Sequence, residues 1–172
     1  MAGNEPPLVA VVCDAGPLIH LHECGCLDLL AGFRQVLVPE AVWAEVARHR
    51  PTALNGGIVR LERIAAGGLF SPELESLGRA LLLHAGEKAA LHVTLEEFGR
   101  WLLTDDTAAR LAARSLGIPA RGTIGILLRA IRRRQRTKAE VLAILRALPQ
   151  VSTLHLKRSW LEEIMREVEA LP

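Results

Sequence analysis

Aromatic residues are scarce in this 172-residue sequence, which has three Trp, three Phe and no Tyr. RRM and OB domains stack nucleic-acid bases on exposed aromatic side chains, so a surface of that kind is not expected. Cysteine is also rare. Cys13, Cys24 and Cys26 are odd in number and lack the spacing of a disulfide framework, which favours a reducing, cytoplasmic compartment.

Long apolar runs and several well-known motifs are missing too. No run approaches the ~20 residues of a membrane span, and the first residues show no signal-peptide pattern, so no membrane association is expected. Phosphate-binding loops, dinucleotide-binding glycine motifs and the nucleophile elbow are absent. The sequence is half hydrophobic and 23% charged, with 30 Leu and 24 Ala. This composition and length predict one globular, helix-rich domain.

Short apolar runs alternate with helical patterns along the chain. Strands are predicted at residues 8–13, 35–38, 58–61, 101–104 and 118–121. Helices are predicted near residues 18–22, 27–30, 40–48, 73–83, 87–98, 107–116, 123–134, 138–148 and 160–171, with Thr123 capping the helix that it begins. This alternation indicates β-α-β units, and hence an α/β fold with a mostly parallel sheet that helices cover on both faces.

Acidic side chains follow the predicted strands at the edge where parallel sheets form their sites. Asp14 comes directly after the first strand, and Asp105 and Asp106 come directly after the fourth. Glu87 lies at the start of a predicted helix, where it is the first residue of a mostly apolar stripe. Glu45 lies on a helix whose side chains lean back towards this edge. We therefore expect these carboxylates to converge.

Converging carboxylates repel one another, by about 4 kcal/mol for two charges 4 Å apart at an effective dielectric of 20. Divalent cations would offset this repulsion, and oxygen-only ligation suits Mg²⁺ and Mn²⁺, which promote phosphodiester hydrolysis. Each acid also has a simpler interpretation. Asp105 or Asp106 could cap a helix, Glu87 could favour a helix dipole, and Glu45 could be an ordinary surface residue.

The order of these motifs resembles the PIN-domain family. The resemblance spans roughly residues 8–150 and rests on five short segments: 14–19 (Asp-Ala-Gly-Pro-Leu-Ile), 36–39 with Val42 and Glu45, 86–91 around Glu87, 102–106 with Ala109, Arg110 and Ala112, and 122–127. Each segment is weakly specific alone, but their order and spacing make the set fairly specific. Glu87 stands where many relatives have Asp.

The resemblance implies a three-layer α/β/α fold and an Mg²⁺- or Mn²⁺-dependent ribonuclease. Many small relatives are VapC-like toxins of toxin–antitoxin pairs, which implies an RNA substrate, a small antitoxin partner and a homodimer. It implies that the catalytic acids are Asp14, Glu45, Glu87 and Asp106. Metal binding would involve Asp14, Glu87 and Asp106, with Asp105 as a further ligand or a supporting group. Residues 8–150 would form the PIN-like domain, and residues 151–172 would form a helical extension of it.

Positive charge is concentrated in one stretch, although the net charge of the chain is only +2. Residues 107–139 carry nine basic side chains and no acidic one. Four of them fall on a predicted helical stripe: Arg129, Arg132, Arg133 and Arg136. The stripe is either a solvated face or a phosphate-binding ridge near the acidic site.

Three other interpretations stay open on the sequence. One is a PIN-like module without catalysis that binds nucleic acid or assembles with proteins. Another is a metal-dependent phosphatase, although the Asp-x-Asp that such enzymes often use is missing at Asp14. A zinc site made of His20, His22, Cys24 and Cys26 is disfavoured by their alternate spacing.

Overall fold

The computed structural model describes residues 9–55 and 57–171, and within them a five-stranded parallel sheet forms the centre of the molecule. Its strands are β1 (Ala10–Cys13), β2 (Gln35–Pro39), β3 (Leu61–Ile64), β4 (Trp101–Leu103) and β5 (Ala120–Arg121), in the order β3-β2-β1-β4-β5. Val12 of β1 pairs with Leu37 on one side and Leu102 on the other. Strand β1 is therefore central, and it is buried along its whole length.

Helices flank this sheet and complete the predicted three-layer α/β/α arrangement, which is confirmed. The helices are α1 (Ala15–Glu23), α2 (Glu40–His49), α3 (Pro72–Ala80), α4 (Ala85–Leu95), α5 (Thr107–Ser115), α6 (Thr123–Arg132), α7 (Lys138–Val151) and α8 (Arg158–Ala170). Two 3₁₀ helices, Leu27–Gly32 and Pro51–Asn55, precede β2 and β3. No helix among the described residues is long and apolar enough to cross a lipid bilayer.

Some predicted boundaries are wrong. The third strand begins at Leu61 rather than ending there, because it pairs in register with residues 36–39 of β2 and leaves Ile58 exposed. Helix α4 stops at Leu95, so Phe98 lies outside the predicted apolar stripe and is fully exposed. Thr123 does not cap α6, because Gly122 occupies the cap position. Leu8 and Pro172, at the ends of predicted segments, lie outside the described residues.

The arginine stripe lies away from the acidic residues, and not near them as the phosphate-binding interpretation expects. Helix α6 ends at Arg132 and points away from the carboxyl ends of the strands. An Nη of Arg129 donates to the backbone oxygen of Gly32, just before β2, and its guanidinium lies 4.1 Å from the ring centre of Phe33. Arg136 forms a two-point ion pair with Asp28. These contacts place both arginines near the amino ends of the strands, on the side of the sheet opposite the acidic residues.

The C-terminal helices are tied to the rest of the fold through Glu23. Helix α8 packs on α7 through Leu161, Ile164 and Val168. The link between them, residues 152–157, is fixed where Ser152 and Thr153 donate to the Glu23 carboxylate, which also accepts from Arg50. Burial alone would raise the pKa of Glu23, but these hydrogen bonds and the Arg50 charge leave it below its ordinary value.

Replacing Glu23 with Ala should lower the free energy of unfolding by about 2–4 kcal/mol, because several donors would lose a shared acceptor. Its side chain is only 4% exposed, so water cannot readily replace it. The matched control is Glu162→Ala, which breaks an exposed ion pair with Arg158 and should cost less than about 0.5 kcal/mol. Denaturant unfolding measures both, and equal effects would contradict the anchoring role of Glu23.

Candidate active site and metal centre

Five acidic residues line a single cleft of about 690 Å³ at the carboxyl ends of the strands. They are Asp14, Glu45, Glu87, Asp105 and Asp106, and we call the cleft that they line the acidic cleft. Strands β2 and β4 flank β1 on its two sides, so the chain leaves the central strand towards opposite edges of the sheet. Crevices at such a switch point are common ligand sites in open α/β sheets.

Asp14 is the buried acid of the cleft. It follows the central strand directly, is 6% exposed, and its backbone N–H donates to the Leu103 oxygen at the end of β4, 2.9 Å away. Burial raises the pKa of its carboxyl to about 6, and the nearby charges of Glu87 and Glu45 add to this rise. The hydroxyl of Thr104 donates to Asp14 Oδ2 at 2.7 Å and partly opposes it. A cation in the cleft would favour the charged form.

Glu87 and Glu45 approach Asp14 from two neighbouring helices. Glu87 lies in the first turn of α4, where one carboxylate oxygen accepts from the backbone N–H of His84 at 2.7 Å. Glu45 reaches the cleft from α2. Its Oε2 is so near Gly86 that a Cβ there would be 3.0 Å from it. Gly86 therefore leaves the space that the Glu45 carboxylate occupies beside Glu87.

The two consecutive aspartates have different partners. Both oxygens of Asp105 are engaged: Oδ1 accepts from the backbone N–H of Thr123 at 2.7 Å, and Oδ2 contacts Nδ1 of His20 at 2.8 Å and the hydroxyl of Thr123 at 2.6 Å. Asp106 is more exposed and caps α5, accepting from the Ala109 N–H through Oδ1. The helix-cap interpretation thus applies to Asp106, whereas the carboxylate of Asp105 is the more constrained because both of its oxygens have partners.

Several residues of the site were not identified from the sequence. Thr104 is fully buried, donates to Asp14 and accepts from the Asp106 N–H, so it joins the two acids. A polar residue at the end of a buried strand was the available signal. His20 enters the cleft from α1, beside Asp105. The 152–157 link also lines the cleft through Leu154 and His155, and no local pattern indicated this contact.

The donor set fits a hard divalent cation in its chemistry, because carboxylate oxygens predominate around the acidic cleft. Across residues 9–55 and 57–171, however, no three His, Cys, Asp or Glu side chains are arranged closely enough to hold a metal ion. Ligation would therefore require these carboxylates to draw together. The zinc interpretation has no support, since His20 is bound to Asp105 and the Cys26 thiol donates to the Cys24 backbone oxygen.

Replacing Asp14 with Asn should stabilise the metal-free protein by about 1–3 kcal/mol at about pH 8. Asn keeps an oxygen for Thr104 and removes the buried charge. The folded-state pKa of Asp14 is raised, so its charge destabilises the wild type above about pH 6. That penalty fades as the pH falls from about 6 to about 4, where the carboxyl becomes protonated in both states.

Denaturant unfolding in EDTA, at about pH 8 and at about pH 4, measures the effect. Asp106→Asn is the matched control, because Asp106 is exposed and Asn also caps helices, so little change is expected at either pH. A destabilised Asp14→Asn protein at high pH would contradict the placement of Asp14 as a buried, uncompensated charge.

Comparison with known proteins agrees with the family that the motif order resembles. A family model described as a PIN domain matches residues 10–170, which includes helix α8. No curated protein sequence matches the chain. PIN domains are generally nucleases, and they typically use divalent metal ions. The match covers nearly the whole sequence and coincides with the parallel sheet and the acidic cleft, and so the chain belongs to the PIN-domain family.

Proposed function

We propose that this protein is an Mg²⁺- or Mn²⁺-dependent endoribonuclease that hydrolyses RNA phosphodiester bonds. The observation that carries the proposal is the meeting of five acidic residues in one cleft, with Asp14 buried at the end of the central strand. Unpaired burial of a carboxylate among like charges is unfavourable, and a bound cation removes that cost.

Asp14, Glu45, Glu87 and Asp106 are the residues that would hold the ion. When bound, the metal would supply an activated water molecule and stabilise the leaving oxygen of the phosphodiester. Asp14 is fixed for this role by the hydroxyl of Thr104 and by its position at the start of α1. Glu87 would offer Oε1, which lies 3.5 Å from Nδ1 of the His84 ring while Oε2 accepts from the His84 backbone, and Glu45 is positioned over Gly86.

Asp105 has a supporting role in this proposal rather than that of a direct ligand. Its contacts with His20 and Thr123 occupy both carboxylate oxygens and join α1 to α6 across the rim of the cleft. A Cβ at Gly122 would lie 2.5 Å from Asp105 Oδ1, so glycine is needed there for Asp105 to keep this position. Asp105 thus holds His20 against the cleft wall and fixes the orientation of its ring.

The biological role we propose is that of a toxin that is neutralised by a small antitoxin protein and acts as a homodimer. The support is the resemblance of the motif order to VapC-like toxins. A small reading frame that overlaps or adjoins this gene would favour the toxin role.

Asp14→Asn should abolish metal-dependent RNA cleavage, with a loss of at least about a hundredfold in rate, because it removes the buried charged ligand. Asp28→Asn is the matched control, since Asp28 lies near the amino ends of the strands, away from the acidic cleft, and pairs with Arg136. The measurement is cleavage of labelled RNA with Mg²⁺ or Mn²⁺, with thermal unfolding as the check on folding. A folded Asp14→Asn protein that cleaves at the wild-type rate would refute the site assignment.

Calorimetric titration with Mn²⁺ separates this function from that of a module without catalysis. The wild type should give saturable heat, Asp14→Asn should lose it, and Asp28→Asn should retain it. Absence of saturable heat from the wild type, together with absence of cleavage, would instead favour a PIN-like module that binds nucleic acid without cutting it.

A further inference from the structure

A second pocket of about 410 Å³ adjoins the acidic cleft. Asp105, Leu154 and His155 line both spaces, so the two form one continuous groove along the rim of the sheet. We call the second space the side pocket. Its other walls come from the start of α5, the β5–α6 junction, the 152–157 link and the first turn of α8. Its volume is in the range of small-ligand sites.

The side pocket has an exposed indole on its wall. Trp160 is 44% exposed, although α8 packs on α7 through a separate buried stripe of Leu161, Ile164 and Val168. The other two tryptophan rings each lie near an arginine: Trp43 near Arg63 and Trp101 near Arg121. Within the described part of the chain, the Trp160 ring has no such contact. The exposed part of this ring is therefore not covered by an arginine.

Two cations line the same pocket. Arg110 comes from α5, and its Nη1 would be 3.0 Å from a Cβ on Gly122, which brings the guanidinium close to Asp105 at the shared rim. Lys157 ends the 152–157 link, directly before α8. Neither the Arg110 guanidinium nor the Lys157 ammonium has a side-chain hydrogen bond or ion pair with any residue in the described ranges. The charge of the groove thus changes from negative in the acidic cleft to positive in the side pocket.

An exposed aromatic ring beside unpaired cations is the combination that binds an unpaired nucleotide, because the base stacks on the ring and the cations contact phosphate. Building on the ribonuclease function proposed above, we propose that the side pocket is a nucleotide-binding subsite. A base stacks on Trp160, Arg110 and Lys157 bind the flanking phosphates, and the neighbouring phosphodiester is thereby led into the acidic cleft. A base that is paired in a duplex cannot stack there, so this subsite selects single-stranded substrate.

Binding of a fluorescein-labelled single-stranded RNA to the full chain tests this subsite. The assay is fluorescence anisotropy at low salt in EDTA, where no metal-dependent cleavage occurs. Trp160→Ala should weaken binding by about 5- to 150-fold, as loss of one stacked base does. Trp160→Phe should largely restore it, because a phenyl ring still stacks. Arg110→Ala and Lys157→Ala should each weaken binding and reduce its salt dependence.

Arg166→Ala is the matched control, because Arg166 is an exposed cation on the same helix as Trp160 and is not part of the side pocket. It should bind RNA as the wild type does. The same sequence in a blunt RNA duplex should bind more weakly than the single strand and should be insensitive to Trp160→Ala. Single-stranded DNA of the same sequence shows whether the subsite distinguishes the sugar, and weakening of its binding by Trp160→Ala also supports stacking.

Two results would overturn the subsite: no saturable binding of single-stranded RNA by the wild type, or equal binding by Trp160→Ala, Arg166→Ala and the wild type. The readout does not depend on cleavage. Metal-dependent cleavage that is unchanged by Trp160→Ala at substrate concentrations below KM would therefore overturn the subsite and leave the ribonuclease proposal standing. Weakened binding by Trp160→Ala without cleavage in any metal would support the subsite and defeat the ribonuclease proposal.

Discussion

Burial of the Asp14 carboxylate is the constraint on which the site depends. The central strand β1 lies inside the sheet, and Asp14 follows its last residue directly. This acid is therefore only 6% exposed and lies beside the end of β4. Thr104 supplies a hydrogen bond, but burial and the charges of Glu87 and Glu45 still raise the pKa of Asp14. A fold that keeps an acid in this position is less stable at neutral pH, and such sites are commonly functional.

The rest of the cleft is organised around that acid by helix ends. Helices α1, α4, α5 and α6 all begin at the carboxyl edge of the sheet, because crossover helices in parallel sheets run back from that edge. Their first residues bring Glu87, Asp106 and Thr123 to the rim. Capping and site formation are therefore compatible roles, as Glu87 shows: both of its oxygens contact His84, one at the backbone N–H and one at the ring, and Glu87 still lines the acidic cleft.

Much of the fold and the acidic set could be predicted from the sequence because the signals are local. The apolar run before Asp14 and the one before Asp105 and Asp106 identify two strands, and parallel pairing then brings their ends together. The errors arise where tertiary contacts decide. Pairing in register with β2 determines the position of β3, and Arg129 is drawn to Gly32 and Phe33 at the far edge of the sheet. Contacts between distant segments, such as His20 with Asp105, have no local pattern.

The C-terminal segment changes the interpretation of the low aromatic content. Glu23 fixes the link between α7 and α8, and the link in turn lines the groove next to Trp160. The few aromatic residues of the chain thus include one that is placed for stacking, at the point where the groove changes from negative to positive charge.

The most direct test of the central claim is a crystal structure of the protein soaked with Mn²⁺, with the ion located by its anomalous scattering. We predict a peak in the acidic cleft with a carboxylate oxygen of Asp14 among its ligands, at about 2.1 Å, a distance typical of a small hard divalent cation. An ordered, accessible cleft with no anomalous peak, or a peak bound only elsewhere on the molecule, would contradict it.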